Sequence, residues 1–443
     1  MNNTTTFKSF TKSQKIRLRR LSKEVILIAT GQALAVLGAL VGVRIMTELL
    51  NPTAYGKLAL GLTMATLVNS IILGPLSSGA TRFFAPALES NNLKPYLRSI
   101  LNLLLNATGF ILLIMILGAV GLFALQKHQW AIVLIATMIY AIMSGYNSVL
   151  NGIQNAARQR TVVALHRAIE SWGKYSIAAI FILWLGASSS VALIGYCIAV
   201  VLVLVSQSFF FKNKIIVKIK GLDRKKNDYQ EQKKQILEYS WPFATWGVFL
   251  WAFMASGKWS LQFFSTTEEV GYFSVLFQLG YYPVITLAAM INQFLAPIYF
   301  QRAGDGTDLE RVRGVYAIAR RVAVLSLLGL IILVVILFFS HELIFRYLTA
   351  GGYSNVSHLM PFMVINSGLL VIAQFFTLAL HNEKKTKFLI LPKNIFYTIG
   401  SILIFLGAAL YGMQGVIYAS IFASLFHLIW IVAIFERNSR KFL

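Results

Sequence analysis

Most of the charge in this chain lies in short polar stretches, but a few ionisable side chains fall inside long apolar runs. A charge in such a run costs about 2.5–3.5 kcal/mol on membrane-insertion scales, so each one is a candidate for meeting a ligand, an ion or a partner. Arg44 and Glu48 stand four apart, and Lys258 occupies a similar run in the second half. Taken as helical, Arg44 and Lys258 each lie about 10 Å from the middle of their runs at 1.5 Å per residue. Two cations at matching depth suit a pyrophosphate or an acidic sugar. The plainer alternative is that both reach out to an interface, with Arg44 paired to Glu48. His166, Glu170 and Lys174 recur every four residues with Arg167 beside them. On a helix that spacing makes one polar stripe. Such a stripe should line a cavity, unless Glu170 and Lys174 simply neutralise each other. Glu170 is the leading carboxylate for carrying a coupling proton or ion, with Glu48 second, because a carboxylate shielded from water can bind and release one. Trp251 lies near the middle of its run and could stack on a sugar face or serve packing alone.

Other chemistry has no foothold. There is no Gly-x-x-x-x-Gly-Lys-Ser/Thr phosphate loop, so ATP is not expected to be a direct fuel. The six histidines are scattered without a His-Glu-x-x-His pair, and Cys197 is the lone cysteine. Neither a metal, a disulfide framework nor a cofactor is expected. No Ser-His-Asp grouping suggests bond-making catalysis.

The elements that must position these groups follow from composition. Of 443 residues 57% are hydrophobic and only 13% charged, yet the net charge is +24. There is too little polar surface to coat a soluble globule and too much apolar residue for disorder. A membrane helix needs about 20 apolar residues. Twelve stretches qualify, at 25–48, 56–82, 99–125, 130–152, 163–185, 191–211, 240–264, 271–299, 316–339, 358–380, 388–411 and 415–435. The N-terminal segment is polar and basic with no small-residue cleavage site, so the first run is expected to be retained. With the N-terminus in the cytoplasm, thirty-four of the forty Lys and Arg fall on the cytoplasmic side, as the positive-inside rule requires. The basic balance therefore reads as topology facing anionic lipid heads, and a nucleic-acid partner is not expected. Both termini are placed in the cytoplasm.

The loop Lys212–Glu238 divides the chain into six helices and six helices. Domain limits follow: a basic segment 1–24, a first lobe 25–211, a linker 212–239, a second lobe 240–435 and a tail 436–443. The halves echo each other. Arg44–Gly56 and Lys258–Gly271 each run from a cation through a short polar turn to a Gly opening the next helix, and the following helices end in Ala85-Pro86 and Ala296-Pro297. Parallel repeats of this kind are typical of secondary transporters, whose substrate path runs between the halves.

The run Arg44–Gly56, followed by Gly74-Pro-Leu-Ser-Ser-Gly-Ala-Thr-Arg82, resembles the Wzx-type polysaccharide transporters of the multidrug/oligosaccharidyl-lipid/polysaccharide exporter superfamily. The resemblance implies an all-α polytopic membrane protein, twelve transmembrane helices in two six-helix lobes around a central cationic cavity. It also implies a function: flipping an undecaprenyl-pyrophosphate-linked oligosaccharide, such as an O-antigen unit, across a bacterial inner membrane by alternating access. Arg82, which ends the second helix, would greet the incoming head or act as an interfacial anchor. Other polysaccharide-assembly membrane proteins are the partners it would bring. Two rivals stand beside it. A drug antiporter of the same superfamily should carry acidic cavity residues, whereas these are mostly basic. A membrane enzyme of polysaccharide assembly should carry a large outer loop, and the longest candidate, His341–Ser357, is short.

Overall fold

A computed structural model describes residues 12–213, 229–304, 308–380 and 387–440, with 12–29 and 387–390 as backbone only. The side chains of the basic N-terminal segment, six of the nine linker cations, Lys384, Lys385, Lys387 and Lys441 thus lie outside the described residues.

All twelve apolar stretches are helical, and there is no strand among the described residues. The first half comprises α1 (Lys12–Leu49), α2 (Pro52–Val68), α3 (Gly74–Glu89), α4 (Leu93–Ala124), α5 (His128–Ala156), α6 (Arg160–Leu185) and α7 (Ser189–Phe211). The second comprises α8 (Tyr229–Phe264), α9 (Thr267–Leu276), α10 (Tyr282–Ala303), α11 (Leu309–Leu348), α12 (Met360–Leu380) and α13 (Lys387–Ser439), the last broken at Tyr411 and Gly412. Among the described residues, nine helices are long and apolar enough to cross a membrane. α6 and α8 are not in that set, their mean hydropathy being lowered by polar and charged residues, and the two stretches within α13 count once.

Local chemistry sets the boundaries. The Asn51 side chain accepts from Ala54 N–H and Pro52 begins α2, while the Thr266 side chain accepts from Glu269 N–H to begin α9. Caps of this type are worth about 1 kcal/mol each. Gly186 ends α6 at φ +100°, a conformation that few other residues adopt. The repeat extends to a shared irregularity. α2 passes into α3 through a π turn, Asn69–Leu73, followed by Pro75. α9 passes into α10 through a π turn, Phe277–Tyr281, followed by Pro283. A proline lacks the N–H and crowds the carbonyl four residues back. The wider turn makes room for it without ending the helix.

The helices form two bundles, α1–α7 and α8–α13. In the first, α1 and α7 pack on α6, and α4 and α7 on α5; in the second, α13 packs on α8 and α12 on α11. The bundles meet most tightly where α2 crosses α9. A Cβ on Gly56 would overlap the Thr267 carbonyl, and one on Gly271 would overlap the Pro52 carbonyl. Each glycine thus receives the carbonyl four residues before the other, a two-fold-related crossing of backbones that only small residues permit. α8 continues the seam along α3 and α4, with Gly79 against Ser240 and Gly247 against the Ser70 carbonyl. Away from that seam, among the described residues, α1 and α10 meet through a side-chain hydrogen bond from Gln32 Nε2 to Gln293 Oε1 at 3.4 Å.

Candidate functional site

This uneven seam leaves a cavity of about 850 Å³ walled by α1, α2, α5, α6, the π turn after α9, and α10. It is closed at the Asn51/Thr266 end by the Gly56–Gly271 crossing. The segment His341–Leu359 reinforces that end: Tyr353 Oη donates to Leu50 O at 2.9 Å, and Ala350 N–H donates to Thr47 Oγ1 at 3.1 Å. Small residues on one face of α1, Gly31, Ala35 and Ala39, let α6 approach and leave room in front of it.

The charged groups lining the cavity are Arg160, Arg167 and Lys174, all from α6. The second-bundle wall is neutral, offering Gln278, Tyr282, Thr286 and Gln293. Lys174 Nζ lies 4.7 Å from the Tyr175 ring centroid and 5.9 Å from that of Tyr196. Such contacts are worth about 0.5–2 kcal/mol each and hold the ammonium without neutralising it. A polar side chamber of about 320 Å³ opens beside the cavity between α5 and α6, and Ser144, Arg167 and Lys174 line both. Glu170 lies in this chamber. It accepts a hydrogen bond from Asn147 Nδ2 at 2.8 Å and forms no ion pair with Lys174 among the described residues. Deeper in the same bundle, Gln207 Nε2 donates to Asn151 Oδ1 and Gln154 Oε1, both at 2.6 Å. The arrangement can hold an anion in the cavity while keeping a carboxylate one layer behind it.

Of the residues singled out in the sequence, Arg167 and Lys174 line the cavity and Glu170 lies in the adjoining chamber. The other candidates stand elsewhere. His166 is 3% exposed and turned from the cavity towards α7: Nδ1 donates to Val162 O at 2.8 Å, and Nε2 then accepts from Ser206 Oγ at 3.1 Å. Eight residues of α-helix rotate by about 80° beyond full turns, so a stripe through 166, 170 and 174 drifts off one face. Arg44 is half-buried at the closed end, donating to Thr349 O and pairing with Glu48 at 2.9 Å. It ties α1 to the segment after α11 and does not line the cavity, and exposed Glu48 serves it as a partner. Lys258 lies 5.1 Å from the Phe277 ring centroid, also off the lining. Trp251 donates to Thr63 O at 2.7 Å across the two bundles, as does Trp259 to Thr63 Oγ1 at 2.9 Å, so Trp251 packs the seam. Arg82 is exposed on α3 and lines no described cavity. Among residues without an assigned site role in the sequence, Arg160, Gln32, Gln293, Tyr140 and Tyr282 line the cavity. Asn69 and Gln278 line it too.

Two bundles of membrane-length helices around a cavity define a class: polytopic membrane proteins of a transporter-type fold. The fold is similar to an inward-facing multidrug resistance MATE family transporter of the MOP superfamily, at TM-score 0.65 and 13% identity, covering 94% of this chain and 98% of that one. It is also similar to the lipid II flippase MurJ in an inward closed conformation, at TM-score 0.68 and 14% identity, covering 95% and 89%. The Vibrio cholerae MATE transporter VcmN in its bent form matches at TM-score 0.54 and 14% identity over 95% and 99%. A search of curated proteins finds no match to the sequence. Residues 21–302 match the family model described as "Polysaccharide biosynthesis protein", and the chain belongs to that family.

Proposed function

We propose that this protein flips an undecaprenyl-pyrophosphate-linked oligosaccharide from the cytoplasmic to the periplasmic leaflet of a bacterial inner membrane by alternating access. The observation that carries this reading is the cavity whose charged lining consists of Arg160, Arg167 and Lys174, with no carboxylate on its surface. Three cations lining one cavity attract a phosphate-bearing head. Neutral Gln and Tyr groups opposite suit sugar hydroxyls and ring faces. With α1 beginning in the cytoplasm, the cavity opens inward and the Gly56–Gly271 end is the periplasmic closure. The weakly bridged α1–α10 side gives the polyprenyl tail access to lipid while the head occupies the cavity. Family membership and the likeness of fold to a lipid flippase support the same reading. A drug antiporter is disfavoured because a cationic drug would meet three cations.

Glu170, one layer behind the cations and held by Asn147, is the group we assign to ion coupling. Deletion of the gene, with analysis of surface polysaccharide and undecaprenyl-linked intermediates, tests the assignment. Intermediates accumulating on the cytoplasmic leaflet are expected; an unchanged glycan profile with altered drug sensitivity contradicts it.

A further inference from the structure

The three cavity cations share a spacing that the flippase reading does not require. Arg160, Arg167 and Lys174 recur every seven residues of α6. Seven residues are almost two whole turns, with a drift of about 20°, so the three project from nearly one line along the helix. They are separated by about 10 Å each at 1.5 Å per residue. All three line the same cavity, from the first residue of α6 to the middle of that helix. None forms an ion pair among the described residues, whereas Arg44 and Arg320 are matched to Glu48 and Glu436. The facing wall offers no fourth charge.

We propose that these residues are a ladder of three anion sites, and that a lipid diphosphate climbs it in order: Arg160, then Arg167, then Lys174. The proposal rests on the lipid-pyrophosphate reading and adds a route to it. A rung separation of about 10 Å exceeds the reach of one diphosphate, so the head is held by one rung or handed between two. Single-charge handover keeps each state weak enough to leave, the condition for passage through any multi-site path. Because every rung is on α6, the head stays with the first bundle while the neutral second bundle moves past it. Lys174, ringed by Tyr175 and Tyr196, is the last rung before the closed end.

The test is photocrosslinking in membranes containing the full-length protein, with radiolabelled undecaprenyl pyrophosphate as probe and yields normalised to inserted protein. Benzoylphenylalanine is placed at Ala164, between the first two rungs, or at Leu40. Leu40 lies at the height of Lys174, because Gly38 and Gly42 on the same helix meet Trp172 and Tyr175. Loss of a charge-assisted contact predicts that Arg160→Gln lowers labelling at both positions by about tenfold. Lys174→Gln lowers it at Leu40 alone. The charge-conserving variants Arg160→Lys and Lys174→Arg keep both signals, and Arg82→Gln, off the cavity, changes neither. Equal losses at both positions from Lys174→Gln, or a loss from Arg82→Gln matching that from Arg160→Gln, would overturn the ladder in favour of a diffuse positive field. Failure of the charge-conserving variants would overturn it in favour of shape. No labelling of the unsubstituted rungs at either position removes the lipid-pyrophosphate reading itself.

Discussion

Asn147 donates the hydrogen bond to Glu170, while Lys174 and Arg167 act on the same carboxylate through space without direct contact, and this decides what the carboxylate can do. Held by a neutral amide, it can change protonation without breaking an ion pair. Glu170→Gln preserves the hydrogen-bonding shape and is expected to abolish the proton-gradient dependence of flipping in energised vesicles while substrate binding persists. Unchanged dependence would remove Glu170 from coupling. Trp251→Phe deletes the bond to Thr63 O and should cost about 1 kcal/mol of stability. Flipping should stay close to wild type; a selective loss of substrate affinity without loss of stability would restore Trp251 to the site. Which charges were buried in apolar runs was legible from the sequence, and for Arg167, Glu170 and Lys174 so was their neighbourhood. What each side chain faces was not. Lipid is as apolar as a packed neighbour, so a membrane helix gives little sign of which face meets the cavity. Arg44 and His166 are both placed by contacts remote in sequence, with Thr349 O and with Ser206. Arg160 was hidden differently, because a cation next to a loop counts first as a topology signal.

Helix pairs supply the moving parts. The α2–α9 crossing closes one end through two glycines that admit backbone only. Gly56→Leu cannot pack there, so the closed end should stay open. In a Cys197→Ser background, a cysteine at Tyr282 should then label more readily with a membrane-impermeant maleimide from the periplasmic side. Labelling no greater than with Gly56 intact would show that this crossing is not the gate. The paired π turns before Pro75 and Pro283 join α2 to α3 and α9 to α10. Pro75→Ala together with Pro283→Ala lets a regular helix form and is expected to slow flipping several-fold with little loss of folded protein, measured as turnover in vesicles. The twelve apolar runs and the matched turns at Asn51 and Thr266 were readable because length and capping are local properties. That Gly56 and Gly271 touch each other is a product of the two-fold arrangement, which no local pattern encodes.

For the molecule as a whole, the opposition between +24 of charge and 57% apolar residues resolves by place. Most cations flank the helices; three, on one wall of a cavity between two bundles, form no ion pair among the described residues and face a neutral wall. The central claim is that this cavity carries a lipid-linked anionic head across the bilayer. The most direct measurement is translocation in proteoliposomes of purified protein, loaded with undecaprenyl-pyrophosphate-linked oligosaccharide and read by a glycan-cleaving enzyme confined to the outside. Cleavage of substrate that began in the inner leaflet is predicted, and it should be lost in the Arg167→Gln, Lys174→Gln double variant. Cleavage no faster than in protein-free vesicles, with export of a cationic dye instead, would contradict the account.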